Sequence, residues 1–190
     1  MRTLVAALLL AAALPASAAV EVAGVKVPDT LTVDGKTLVL NGAGVRTKTF
    51  LKVKVYVGAL YLPQKSKDAA AIVALDAPKV IRLTLMRDVD KASMLGSFRE
   101  GIEANSPGQA PALETRLKQL EAAFPAEFKE GQVLLVTYVP GKGTTAAVEG
   151  EKAVAIEGKD FADAVFRIWL GPKPTDGGLE DLQEALLAGK

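Results

Sequence analysis

Arg46, Lys48, Lys52, Lys54 and Tyr56 are spread through one β-rich stretch of this 190-residue chain. A guanidinium fork grips a carboxylate or a developing oxyanion through two hydrogen bonds, and a phenol beside it adds a third donor. Arg46 and Tyr56 are therefore the first candidates for a site. The plainer reading is a half-buried sheet that turns its lysines and a tyrosine to water. An unbroken strand would hold Arg46 and Tyr56 roughly 33 Å apart, so they act together only if the chain reverses between them. Arg82 and Thr84 form a polar row on a later strand; they either extend the same cleft or make a solvated cross-strand face. Met94, Phe98, Phe124, Phe166 and Trp169 read as core, although a wall of Met and Phe also lines an apolar pocket well because Met fills irregular space.

The missing residues narrow the chemistry further. The chain has no Cys and no His, which excludes thiol nucleophiles, Ser-His-Asp triads and the usual nitrogen or sulfur sites for zinc and copper. Hard cations would need clustered carboxylates, but Asp88, Asp90, Glu100 and Glu103 fall on helix ends or outer faces. No metal and no cofactor are expected. Acid–base work would rest on Asp, Glu, Lys, Tyr or Arg alone. With 23 Lys and Arg against 22 Asp and Glu, the chain lacks the basic excess of a nucleic-acid binder.

The elements that must position these residues begin after a targeting segment. Arg2, the apolar run Leu4–Leu14 and Ala16-Ser17-Ala18 read as a secretory signal peptide with a small-x-small cleavage site. That run is too short to span a bilayer, which takes roughly 20 apolar residues as a helix. Removing residues 1–18 also removes Arg2 and leaves the charges balanced. The expectation is a signal peptide over 1–18, one domain over 19–190, no membrane-spanning segment, and a periplasmic destination.

Within that domain, Val20, Val22, Val25, Val27, Leu31 and Val33 read as short strands, and Asp34-Gly35 marks a hairpin. Asn41-Gly42-Ala43-Gly44 reads as a glycine turn. It lacks the third glycine of a dinucleotide fingerprint and the Gly-Lys-Ser/Thr ending of a phosphate loop. Residues 45–62 follow as one long β-rich run, in which Val53, Val55 and Val57 face one way and Lys52, Lys54 and Tyr56 the other. A short helix over Ser66–Leu75 with Ser66 as N-cap, a strand over Pro78–Arg87, and helices over Asp90–Ala104 and Ala112–Phe124 come next. Val133–Val139, Thr144–Val148 and Ala153–Ile156 form a meander. Helices from Gly158 to Leu170 and over Leu179–Leu187 close the chain. The fold class is α+β, an open antiparallel sheet with helices gathered on one side.

Several ordered stretches resemble the chalcone isomerase-like family of the bacterial, exported type. They are Gly42-Ala43-Gly44-Val45-Arg46, Lys54 through Leu62, Phe98 through Asn105, and Val154 through Gly158 leading past Phe161 to Phe166-Arg167-Ile168-Trp169-Leu170-Gly171-Pro172-Lys173-Pro174. The resemblance implies an open-faced antiparallel sheet with one layer of helices. It also implies two functions. Plant chalcone isomerases close a flavanone ring with an Arg, a Thr, a Tyr and an Asn; fatty-acid-binding relatives keep the Arg and a following Tyr, which hold a lipid carboxylate. Arg46 matches the shared Arg, and Tyr56 matches the Tyr of the binders. The enzyme's helix Tyr falls near Met94, which exchanges no proton, and its Asn falls near Gly101, four residues from Asn105.

These departures favour a non-catalytic binder of a fatty acid or similar lipophilic carboxylate. Arg46 and Tyr56 would stand at the head group, and Leu85, Met94, Phe98 and Trp169 along the tail, with Arg82 and Thr84 as extensions. One alternative is an intramolecular lyase of the chalcone isomerase type, with Arg46 stabilising an oxyanion and Tyr56 donating a hydrogen bond. Another is an envelope protein-interaction domain with no small ligand.

Overall fold

The computed structural model describes residues 19–189. The expected signal peptide, residues 1–18, lies outside them. Two short hairpin strands, β1 (Ala19–Val22) and β2 (Val25–Pro28), are followed by β3 (Thr30–Val33), β4 (Lys36–Lys48) and β5 (Val53–Leu62). Then come α1 (Ala69–Ala74), β6 (Lys79–Leu85), β7 (Val89–Asp90), α2 (Lys91–Asn105), α3 (Ala110–Ala123) and β8 (Glu127–Phe128). The remainder is β9 (Val133–Val139), β10 (Gly143–Val148), α4 (Lys159–Leu170) and α5 (Gly177–Leu186).

The main sheet has six antiparallel strands in the order β10-β9-β6-β5-β4-β3. Its first turn is as expected: Asp34 and Gly35 take left-handed φ values of 50° and 72°, the backbone that a tight two-residue hairpin requires. The helices cover one face, where Leu60, Leu62, Ile81, Leu83, Leu134 and Val136 pack against Phe98, Ile102, Phe161, Phe166 and Trp169. A smaller cluster of Val27, Leu38, Val57, Ala59, Tyr61 and Val80 occupies the opposite face. The Tyr61 hydroxyl donates to the Pro28 carbonyl at 2.7 Å, tying β2 to this side.

Four local expectations are overturned. First, Gly42-Ala43-Gly44 is no turn but the middle of β4. A Cβ on Gly42 would stand 2.2 Å from the Ala185 carbonyl oxygen, and one on Gly44 would stand 2.5 Å from the Ala185 side chain. The glycines therefore form a flat place where α5 lies against the sheet. Second, the run from 45 to 62 is two strands. The chain reverses at residues 49–52, where Thr49 and Lys52 adopt φ of 69° and 50° and the Lys52 amide donates to the Thr49 carbonyl at 3.0 Å. Third, Ser66 does not cap α1. Asp68 does, accepting from the Ala71 amide at 2.9 Å, while the Ser66 amide and carbonyl are held by the buried side chain of Asn41. Fourth, Ala153–Ile156 is not a strand; only an isolated bridge joins Ile156 to Thr144.

One buried cation has a structural role. Lys79 is fully buried and donates to the carbonyls of Ile72, Val73 and Leu75 at 3.0, 2.6 and 2.9 Å. It thus satisfies carbonyls at the end of α1 that have no partner within that helix. Burial pushes its ammonium pKa down to about 8.

Candidate functional site

The reversal at 49–52 brings Arg46 directly opposite Tyr56 across the β4–β5 pair. Just beyond that pair the register slips: Arg46 faces Tyr56, but Thr47 faces Lys54, leaving Val55 as an extra residue. Such a bulge re-aims the side chains that follow it. Val55 packs with Tyr56 against the helix-side core, whereas Val57 belongs to the opposite cluster. The expected grouping of Val53, Val55 and Val57 on one face and Tyr56 on the other is therefore corrected. Tyr56 points under the helices.

There it meets α4. The Trp169 indole nitrogen donates to the Tyr56 hydroxyl at 3.0 Å, inside the core. Burial raises the Tyr56 pKa, and the Trp169 hydrogen bond and the Arg46 charge pull against it without winning. Tyr56 is thus a neutral phenol at physiological pH, and with its oxygen accepting from Trp169 its own proton is free to be donated.

Arg46 is 6 % exposed and has a partner that the sequence reading did not anticipate. Its two terminal nitrogens bond the two Asp176 carboxylate oxygens, each at 2.6 Å. It also donates to the Thr47 carbonyl. A guanidinium carries five N–H donors; these contacts use both hydrogens of one terminal nitrogen and one of the other, and a further side-chain hydrogen bond ties Arg46 to the Tyr56 hydroxyl. Asp176 is the N-cap of α5 and accepts from the Leu179 amide at 3.0 Å. Burial works to raise its carboxyl pKa, but the Arg46 hydrogen bonds and charge prevail and hold it below the usual range. Gly178 makes this approach possible, because a Cβ there would sit 2.1 Å from the Thr47 carbonyl oxygen. The available signal was Asp176-Gly177-Gly178 before Leu179, an N-cap three residues ahead of the expected helix start.

A cleft of about 660 Å³ opens beside this group. Arg46, Tyr56, Met94, Phe98 and Trp169 line it together, with Val53, Val55, Leu83 and Ile168 completing the apolar wall. Phe98 and Trp169 meet edge to face, with ring centroids 5.5 Å apart. Lys48, Thr49, Arg87, Asp90, Ser93 and Ser97 give it a polar rim. A pocket of this size, mostly apolar with a few converging polar groups, is the usual form of a small-molecule site.

Three of the expected residues lie elsewhere. Arg82 and Thr84 alternate with the core-facing Ile81, Leu83 and Leu85, so they point to the opposite face of the sheet. There Arg82 donates to the Thr84 hydroxyl at 2.6 Å. Leu85 is buried opposite Tyr56, but Leu83 takes the lining position. Asn105 is engaged elsewhere too, since its amide donates to the Gly101 and Lys173 carbonyls and accepts from the Lys173 amide. Among the described residues no group of three or more acidic side chains is placed to hold a metal, and no helix is long and apolar enough to cross a membrane.

Comparison with known proteins agrees with this architecture. The family model described as chalcone isomerase-like matches residues 19–188. No curated protein sequence matches the chain. Among solved structures, the crystal structure of a fatty-acid binding protein from Arabidopsis thaliana superposes with a TM-score of 0.69. The two share 16 % identity, over 86 % of this chain and 92 % of the plant protein. At that identity the likeness is one of fold.

Proposed function

Because this chain belongs to the chalcone isomerase-like family, we propose that it is an exported, periplasmic binding protein, without catalytic activity, for a fatty acid or similar lipophilic carboxylate. The observation that carries the proposal is the cleft, where an apolar wall of Met94, Phe98, Leu83 and Trp169 leads to Tyr56 and Arg46. The ligand carboxylate accepts a hydrogen bond from the Tyr56 hydroxyl beside the Arg46 guanidinium, and the tail lies along the aromatic wall. Burying an acyl chain contributes roughly 0.8 kcal/mol per methylene, so ten methylenes give about 8 kcal/mol before the costs of ordering. That gross figure equals the free energy of micromolar binding, so the head-group contacts must offset the ordering costs for micromolar affinity to be reached.

The same geometry disfavours the lyase. Met94 cannot exchange a proton, and Asn105 is spent on the backbone of Gly101 and Lys173.

Native mass spectrometry of the full chain recovered from a bacterial envelope, followed by delipidation and titration with palmitate, tests the reading. The expected result is a co-purifying carboxylate whose affinity falls in Arg46→Ala and is unchanged in Arg82→Ala. Folded Arg46→Ala that binds palmitate as tightly as the parent would sink it. Turnover of 2′-hydroxychalcone above the solution rate, lost in Arg46→Ala, would replace it with the lyase.

A further inference from the structure

The β4–β5 hairpin ends in the most exposed large hydrophobic side chains among the described residues: Phe50 is 92 % exposed and Leu51 71 %. Folding leaves them nothing to pack against. The turn that presents them is held in a left-handed backbone at Thr49 and Lys52, a conformation that is unfavourable for residues with side chains. Three exposed lysines, Lys48, Lys52 and Lys54, surround the pair. The acidic group closest to them in the ion pairs described is Asp181, 3.8 Å from Lys52 and itself exposed. The base of the same hairpin is the rim of the cleft, which Lys48, Thr49 and Val53 line.

We propose that this hairpin tip docks on a phospholipid surface bearing anionic head groups. Phe50 and Leu51 enter the boundary between head groups and acyl chains, while Lys48, Lys52 and Lys54 stay at head-group level against the phosphates. An apolar tip with a cationic collar matches that boundary in both polarity and charge. A protein partner would have to cover a two-residue projection with little flanking apolar surface. The docked orientation sets the cleft mouth against the bilayer, so an amphiphile passes between membrane and Arg46–Tyr56 without crossing bulk water. This last step rests on the binding reading; the docking itself does not.

The test is flotation of the full chain with vesicles of phosphatidylglycerol and phosphatidylcholine, or of phosphatidylcholine alone. Parent and Phe50→Ser/Leu51→Ser proteins are compared after mass spectrometry shows the same N-terminus on both, so that any difference reports the tip. Both side chains are exposed, so the double variant should keep the parental melting temperature. The parent is expected to float with the anionic vesicles and to be released by high salt. The double variant is expected to partition about tenfold less, and Lys48→Glu/Lys52→Glu to lose the salt-sensitive part. A parent that stays in solution, or a double variant that floats equally well, overturns the proposal. So does a tip-dependent dimer with no flotation. Palmitate titration without vesicles separates the two readings: equal affinity in parent and double variant supports binding independently of docking, whereas no affinity in either removes the binding reading and leaves flotation to decide docking.

Discussion

Arg46 and Asp176, 130 residues apart in the chain, meet fork to fork through two 2.6 Å hydrogen bonds. The carboxylate that occupies the candidate anion site is therefore the protein's own. It also caps α5, so one side chain serves the helix and the arginine together.

Replacing Asp176 should separate these roles. Asp176→Ala removes an N-cap, worth about 1 kcal/mol, and leaves a buried arginine uncompensated, a loss of about 3–5 kcal/mol when a pair is fully buried. Because Asp176 is 36 % exposed, the expected total is roughly 2–4 kcal/mol in urea denaturation. Carboxylate binding should move the other way. A released donor is worth about 1 kcal/mol, so palmitate should bind about fivefold tighter.

The pairing also sets an acid limit. The Asp176 carboxyl titrates lower in the folded protein than in the unfolded chain, where an aspartate lies near 3.9. Its stabilising contribution is complete above that unfolded value and disappears as pH falls through the lower, folded one. Urea midpoints measured from pH 6 down to pH 3 should show this decline, and Asp176→Asn should make it shallower, leaving the part that Asp88, Asp90, Glu114 and Asp160 contribute.

Tyr56→Phe leaves the buried Trp169 N–H without its acceptor, a loss of about 1–3 kcal/mol. The chain contains a single Trp, so its emission reports this site alone. A shift to shorter wavelength is expected in the variant; an unchanged spectrum would mean that the indole is not bonded to Tyr56 in solution.

Gly44→Val should lift α5 from the sheet. Even a Cβ would come within 2.5 Å of Ala185, and overpacking of this kind costs about 1–3 kcal/mol. Because α5 carries Asp176, the variant should also lose part of the Arg46 pairing. Loss of stability with the acid profile of the parent would contradict that linkage.

Local chemistry made much of this legible in the sequence. Asp34-Gly35 marks its hairpin, the helical stripes place Phe98 and Trp169 in one core, and Arg46 and Tyr56 stand out as a pair. The features that were not legible depend on distant contacts or unusual backbone. Thr49-Phe50-Leu51-Lys52 has no glycine, proline or asparagine to mark a reversal, and its left-handed angles fall on Thr and Lys. Gly42 and Gly44 look like a turn because their partner, Ala185, lies far along the chain. The bulge at Val55 inverts an alternation that is regular in the sequence, and Arg82 is polar yet sits on the wrong side of the sheet for the cleft.

The glycine floor under α5 also sets an order of assembly. Strands β4 and β5 leave the ribosome long before residues 176–186. Until that segment arrives, Arg46 has no carboxylate beside it and Gly42 and Gly44 lie bare. A nascent chain therefore displays an unshielded arginine and an open sheet face, a state that a chaperone or a stray anionic lipid could recognise. The last described helix is what supplies that carboxylate and covers the glycines.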